Sequence, residues 1–400
     1  MQNISPRHLP VTVNNTWFTL PLVGLLAAFP PIATSMYLPA MPHLQSIWGV
    51  ELKTINLTLV CFYLSYCTSL LAYGPVSDRL GRRPPLMAGI LIFIWGSLLC
   101  ANAGSVFQLI CGRIFQGLGA AGPSALGLSI IKDRYAGPNQ KRVLAIVGLL
   151  ISLAPMMGPV LGSWTLKFTS WQFIFIIQVM LAILAFTGVV KLPETLARKE
   201  KTPYTKMAKP YLVLLKNKRF AVLNFSFGAS MWPLFAFVAS SADIYIVRFG
   251  ISQQAYGFYF GITAMAMMIG AGICVKISEK VEDMTMLRLG FGGMCLAGLI
   301  LWLAPFSGPV PFTLTMFLTI LSFGLTRPFS VSMILNSIDS HVGAASSLMM
   351  FANFAMGAFS AWFISLGWAD SINVLGMMSL FSGAFILFMV NRISGRPSHS

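Results

Sequence analysis

Charge is what this sequence has least of. Only 10% of its 400 residues are charged and eleven are acidic, against 56% hydrophobic and a mean hydropathy of +0.77. Soluble domains carry roughly 25% charged residues, so a water-soluble globular fold is excluded. Histidine is scarce too: His8, His43, His341 and His399 are scattered over loops and ends, and no pair of them builds a metal site or a nucleophile–base couple. The six cysteines, Cys61, Cys67, Cys100, Cys111, Cys274 and Cys295, sit in or beside apolar runs without metal-ligand spacing, which reads as packing. An enzyme is therefore not expected, and neither metal nor cofactor. Alternation at every second residue is missing, which excludes the strands of an outer-membrane barrel. Met1 to Thr16 is polar with two prolines, so no cleavable signal peptide is expected.

Long apolar runs dominate instead. Runs of roughly 20 residues, enough to cross a hydrocarbon core about 30 Å thick, recur from Trp17 onward. Twelve spans are predicted, at 17–40, 54–77, 85–104, 106–132, 141–167, 170–191, 219–247, 252–275, 285–305, 310–338, 342–368 and 371–391. All are helices, because lipid leaves no partner for an open backbone. The net charge of +16 is no nucleic-acid signal, since the basic residues are dealt out along the chain. They collect at Arg7; Arg79, Arg82 and Arg83; Lys132, Arg134, Lys141 and Arg142; the stretch from Lys191 to Arg219; Lys276, Lys280 and Arg288; and Arg392 and Arg396. The opposite side holds Lys53, Lys167 and Arg248. The positive-inside rule then puts both termini in the cytoplasm of a multi-pass protein of a bacterial cytoplasmic membrane.

The longest polar break, Leu192 to Lys218, is rich in lysine and contains Pro193, Pro203 and Pro210. It divides the chain into a bundle over 1–191, a basic loop over 192–218 and a bundle over 219–400. A weak repeat links "ATSMYLPAM" of span 1 with "ASSADIYIV" of span 7. Two six-helix bundles rocking about a central site is the layout of a transporter.

The loop "GPVSDRLGRRPP", Gly74 to Pro85, needs glycine at Gly74 and Gly81 for a tight turn, while Asp78 suits a helix cap or a pair with an arginine. It resembles the best-known signature of the major facilitator superfamily. The resemblance implies that Asp78, Arg79, Gly81, Arg82 and Arg83 lock the cytoplasmic ends of the bundles in the outward-open state. Span 4, "GRIFQGLGAAGPSALG", carries small residues for close backbone packing and a buried-depth arginine, Arg113. It is similar to the superfamily's fourth-helix motif, where the arginine, here with Gln116 beside it, serves proton coupling; binding of exposed carbonyls in a kinked helix is the plainer reading. Span 5, "GLLISLAPMMGPVLGSW", has Gly148, Pro155, Gly158, Pro159 and Gly162, which permit hinging or tight packing. It resembles the motif that marks proton-driven exporters.

With "SMYLPAMP" in span 1 and "GAASSLMMFANF" in span 11, the whole chain resembles the Bcr/CflA branch of drug:proton antiporters, named for bicyclomycin resistance and chloramphenicol export. That implies efflux of small organic molecules by alternating access, coupled to protons, from a monomer. One departure stands out: the branch usually has an aspartate directly before "MYLP", and here it is Ser35. Ten of the eleven acidic residues belong to loops or helix ends, leaving Asp243 of span 7, five residues before Arg248, as the acid that faces a cavity. Spans 1, 4, 7 and 10 line the cavity in this superfamily, so Arg113 and Arg327 would place two cations there. An anionic substrate would neutralise them, and a dedicated exporter or importer of an endogenous anion such as a carboxylate siderophore is the alternative to drug efflux. Arg327 has a second reading, bonding carbonyls freed by Pro328 near the bilayer midplane. Tyr37, Phe115, Met231, Trp232, Phe235 and Tyr245 are the candidate apolar wall.

Overall fold

The computed structural model describes residues 16–135, 137–196, 199, 207–278, 280–338 and 340–394. Of the residues named above, Arg7, His8, Pro203, Arg396 and His399 lie outside these. No strand occurs among the described residues. Eleven helices are long and apolar enough to cross a membrane, and a bent pair completes twelve.

That bent pair is span 1. It runs as α1 (Thr16–Ala27), α2 (Phe29–Ser35), a 3-10 turn (Leu38–Ala40) and α3 (Met41–Trp48), with a bend of 47° between its two parts. Pro30 and Pro31 sit in the first turn of α2, where they cannot donate to the carbonyls of α1, so the helix breaks there. The span continues eight residues past the predicted end and stops at Gly49, whose φ of 59° few other residues adopt. Spans 2 to 6 are α4 (Leu52–Leu80), α5 (Arg83–Ala101), α6 (Val106–Arg134), α7 (Gly137–Phe168) and α8 (Gln172–Lys191).

The connection after α8 is not all loop, as the sequence suggested. It contains α9 (Lys209–Lys216), in which Leu214 is buried while Leu212, Val213 and Leu215 stay exposed. Eight residues are too few to span, so this amphipathic piece lies along the bundle end. Span 7 is α10 (Lys218–Gly228) and α11 (Met231–Ala242), followed by a π turn at Asp243–Arg248. The remaining spans are α12 (Gln253–Ile277), α13 (Asp283–Leu303), α14 (Pro309–Leu335), α15 (Val342–Ile364) and α16 (Ser371–Ser394). The weak sequence repeat thus falls where spans 1 and 7 both leave α-geometry, one through a 3-10 turn and one through a π turn.

Close backbone approach holds each bundle together. In the first, a Cβ on Gly119 would meet Phe93 Cα at 2.7 Å and one on Gly112 would meet the Cys100 nitrogen at 2.8 Å, which locks α6 onto α5. In the second, Gly298 and Gly376 do the same for α13 and α16, with Leu380 Cα at 3.0 Å and the Leu301 carbonyl carbon at 2.8 Å. The bundles meet along α4 with α15 and along α7 with α12. Leucine, phenylalanine and isoleucine side chains such as Leu184, Leu303 and Phe381 stay exposed on the perimeter, as lipid contact requires.

Candidate transport site and gates

One end of the bundle carries the Gly81–Arg83 loop and α9 and is called the basic end; the other is the far end. The turn at the basic end is shorter than its motif. Gly74 and Asp78 both lie inside α4, so Gly74 makes no turn and Asp78 caps no helix. Gly81 alone has positive φ, 104°. Arg82 pairs with Asp78 through Nη1 at 2.5 Å and with Asp133 of α6 through Nε at 2.8 Å. Burial alone would lower the Arg82 pKa, but Asp133 and Asp78 raise it overall and keep the charge in place.

Glu194 is one of the loop acids in the sequence. Its carboxylate accepts backbone N–H bonds from Arg82 (2.9 Å), Arg83 (3.2 Å), Thr195 (2.9 Å) and Leu196 (3.0 Å), and packs where a Gly81 side chain would stand. Burial pushes the Glu194 pKa up, yet those four donors outweigh it and hold the group below the usual glutamate range. Arg83 Nη2 donates to the Val190 carbonyl. The described partners of Arg82 and Arg83 therefore lie in the first bundle or, at Glu194, just beyond its last helix, and none of them lies in the second bundle.

Arg113 is fully buried inside the first bundle. Its Nη1 donates to the Ala33 carbonyl at 2.8 Å and to Gln116 Oε1 at 2.7 Å. Ala33 is open to it because the Tyr37 N–H turns to the Thr34 carbonyl (3.3 Å) where span 1 leaves α-geometry. Gln116 Nε2 continues the chain to Ser97 Oγ (2.8 Å) and Gln178 Oε1 (2.7 Å). The guanidinium lies over the rings of Phe62 (4.5 Å) and Tyr37 (5.1 Å). No carboxylate pairs with it, and its Nε and Nη2 have no described partner. The carbonyl contact anticipated from the sequence exists, but the side chain lines no open cavity.

Ser35 and the span 5 motif come together. The Ser35 hydroxyl donates to the Pro31 carbonyl, and its side chain packs on Gly158. A Cβ on Gly162 would meet the carbonyl carbon of Met36 at 2.9 Å and Pro39 at 3.0 Å. On another face of α7, the carbonyl of Pro159 and the Cα of Val160 lie 3.1 Å from where a Gly257 side chain would stand, which seats α12. Pro155 lies within α7 as expected, whereas Gly148 is exposed.

Arg327 is half-buried and makes no hydrogen bond or ion pair with a described residue; its guanidinium lies 6.0 Å from the centre of the Phe323 ring. The carbonyl reading for this residue is thus not what the structure contains. It stands eight residues before α14 ends at Leu335, about 12 Å from the basic end, nearer that end than the midplane position expected. Asp243 opens the π turn, is half-buried, and has no described hydrogen bond. Arg248 instead pairs with Asp370 (2.5 and 2.9 Å), which frees Asp243 from the pairing considered for it.

The proposed wall scatters. Tyr37 and Tyr245 are sealed in their bundles, Tyr245 against Thr313 at 2.5 Å. Met231 is buried in the second core, and Phe115 packs at 4.4 Å on Trp95, which is half exposed on the perimeter. Phe235 and Trp232 do reach the seam between bundles: Phe235 stands edge-on to Tyr63 at 4.8 Å, and Trp232 lines a cavity of about 1270 Å³. This cavity lies between α4 and α15, with α9 and α10 lining it toward the basic end. At the far end the bundles are stitched by Asn56, whose buried Nδ2 donates to the Ala239 carbonyl (3.2 Å) and to Ser365 Oγ (2.6 Å), and by Gln254 Nε2 to the Ser163 carbonyl (3.3 Å). Nothing local marks Asn56, because its partners stand 183 and 309 residues away.

Twelve apolar helices in two bundles, closed at one end and grooved at the other, define a membrane transporter. The chain belongs to the Major Facilitator Superfamily, whose sequence model matches residues 23–361. Among its relatives are a bicyclomycin resistance protein homolog of Haemophilus influenzae, 28% identical over 72% of this chain and 73% of the relative, and the multidrug transporter MdfA of Yersinia pestis, 26% identical over 90% of each. A chloramphenicol resistance protein of Pseudomonas aeruginosa is 29% identical over 70% of this chain and 67% of its own length. Among solved structures, a bacterial homolog of the human lysosomal transporter Spinster, inward-facing and unoccupied, superposes with a TM-score of 0.76 at 13% identity, covering 97% of this chain and all of that one. The protein is a transporter of small molecules with drug-exporter relatives, not an enzyme.

Proposed function

We propose that this protein is a secondary transporter of the bacterial cytoplasmic membrane that exports small organic molecules by alternating access, with both termini in the cytoplasm. The observation that carries the reading is the asymmetry of the seam: buried hydrogen bonds join the bundles at the far end, while the basic end is grooved and Arg82 and Arg83 of its loop bond within the first bundle and to Glu194 beside it. Such an arrangement is one of the two states an alternating cycle needs. The units act as bundles over 1–191 and 219–400 with the basic loop between them, and one chain suffices. Proton coupling falls to Asp243, an unpaired carboxylate at a π turn, since Ser35 cannot titrate. In everted vesicles Asp243→Asn is expected to abolish gradient-driven transport and to leave substrate binding intact; undiminished transport would remove Asp243 from the coupling role.

A second reading, export of an organic anion, is favoured by one observation: Arg327 is a half-buried cation with no described partner. An anion would supply the missing charge. Thermal shifts of the purified protein across anionic, neutral and cationic compounds separate the two readings. Stabilisation by anions that disappears in Arg327→Ala supports the anion reading; equal stabilisation of both proteins by cationic or neutral drugs leaves plain drug efflux.

A further inference from the structure

Two grooves occupy related places. One, about 500 Å³, runs between span 1 and span 5, from Leu20 to Leu161; the other, about 1270 Å³, involves spans 7 and 11, their counterparts in the second bundle. Both are walled by apolar side chains. The larger differs in two ways. It borrows a wall from α4 of the opposite bundle, and α9 runs along it with the exposed Leu212 and Leu215 among its lining. Its few polar members are largely spoken for: the Tyr211 hydroxyl donates to the Leu71 carbonyl (2.9 Å), Trp232 Nε1 to Met356 Sδ (3.3 Å), and the Thr68 hydroxyl to the Leu64 carbonyl (2.8 Å). Such a surface accepts hydrocarbon and gains little from water.

The rim has the opposite character. Lys209 and Lys216 on α9, with Lys218 just beyond it, are exposed and make no ion pair with a described residue. The chain holds no acidic residue from Thr202 to Arg219. Asp78, on α4 near the groove, is already paired with Arg82. We propose that this groove binds an anionic phospholipid, its acyl chains between α4 and α15 and its headgroup on Lys209, Lys216 and Lys218. A lipid held there touches both bundles, and α9 is tied to the first through Tyr211, so occupancy favours the state with the basic end apart. The smaller groove, with no such helix along it, is the internal control.

The test is native mass spectrometry of the delipidated full chain with phosphatidylglycerol or phosphatidylcholine added back. The wild type is expected to retain one phosphatidylglycerol in preference to phosphatidylcholine, with roughly fivefold weaker binding for each lysine removed in Lys209→Gln and Lys216→Gln. Lys276→Gln, a basic position at the end of α12 outside the groove, is expected to change nothing. Ala352→Phe, which fills the groove, should lower retention of either lipid while the lysines remain. Equal retention of the two lipids by the wild type, or retention unaffected by the lysine variants, overturns the proposal. Lipid displaced by tetraphenylphosphonium, with no sensitivity to the lysines, overturns it too and assigns the groove to apolar substrate.

Discussion

In the first bundle the largest fully buried side chain among the described residues is Arg113, held by Gln116 and the Ala33 carbonyl; at the same end of the second lies Tyr245, held by Thr313 and packed among Phe312, Phe237 and Tyr259. The two solve the same packing task at very different cost. A tyrosine buries its ring at a gain and needs one partner for its hydroxyl. A guanidinium without a carboxylate loses hydration worth several kcal/mol, and here two of its nitrogens stay unmatched. A charge kept on those terms, where an aromatic ring would serve packing better, points to a role in the transport cycle.

Replacing the charge breaks that contrast most sharply. Arg113→Met keeps the length of the side chain and removes the cation. Two acceptors lose their donor, about 1–3 kcal/mol each, while the burial cost of the charge disappears. The opposing terms leave stability within about 2 kcal/mol of the wild type, yet transport is expected to fall to background, with Arg113→Lys retaining part of it. Tyr245→Phe is the matched variant in the other bundle and should cost about 1 kcal/mol with transport retained. Melting curves and vesicle transport of the pair decide the matter: wild-type transport in Arg113→Met would return Arg113 to packing.

A smaller effect is expected at the far end. Asn56 has no partner for its Oδ1, so the bond it gives across the seam is offset by an acceptor left dry. That near balance lets the end open. Asn56→Ala should shift the equilibrium toward far-end opening by about 1 kcal/mol, roughly fivefold in population. Spin labels on α3 and on the start of α16 would report the distance distribution. An unchanged distribution would show that apolar contacts alone close this end.

How far the sequence announced all this depends on the range of each interaction. Helix length and hydropathy are local, and eleven spans follow from them directly. Spans 1 and 7 were legible as spans but not as broken ones, although Pro30 and Pro31 stand in plain view beside the first break. The Gly74–Pro85 loop was recognisable as a motif, yet its clamp, Glu194, lies 112 residues from Arg82 and was indistinguishable from other loop acids. Asn56 and Tyr211 were hidden for the same reason. The apolar wall failed because an aromatic residue on a cavity-lining helix has several faces to choose from, and Tyr37 and Tyr245 turn inward. Ser35 and Gly158 were each singled out, and only the fold shows them in contact.

The basic end gives the smallest effect and the clearest sign. Glu194 holds its proton less readily in the fold than in the unfolded chain, because backbone N–H groups of Leu196, Arg82, Arg83 and Thr195 stabilise the anion against the burial that opposes it. Its contribution is therefore complete above the ordinary glutamate pKa of about 4.3 and is lost as pH falls through the lowered value of the fold. The group is exposed, so screening keeps that contribution below about 1 kcal/mol. Glu194→Gln should melt slightly below the wild type at pH 7, and the gap should close as the pH drops below 4.3. The Asp370 carboxylate at the far end, lowered first of all by its hydrogen bonds to Arg248, follows the same sign and supplies the comparison. A gap between Glu194→Gln and wild type that widened in acid would mean that the clamp works through the protonated carboxyl, contrary to the four donors around it.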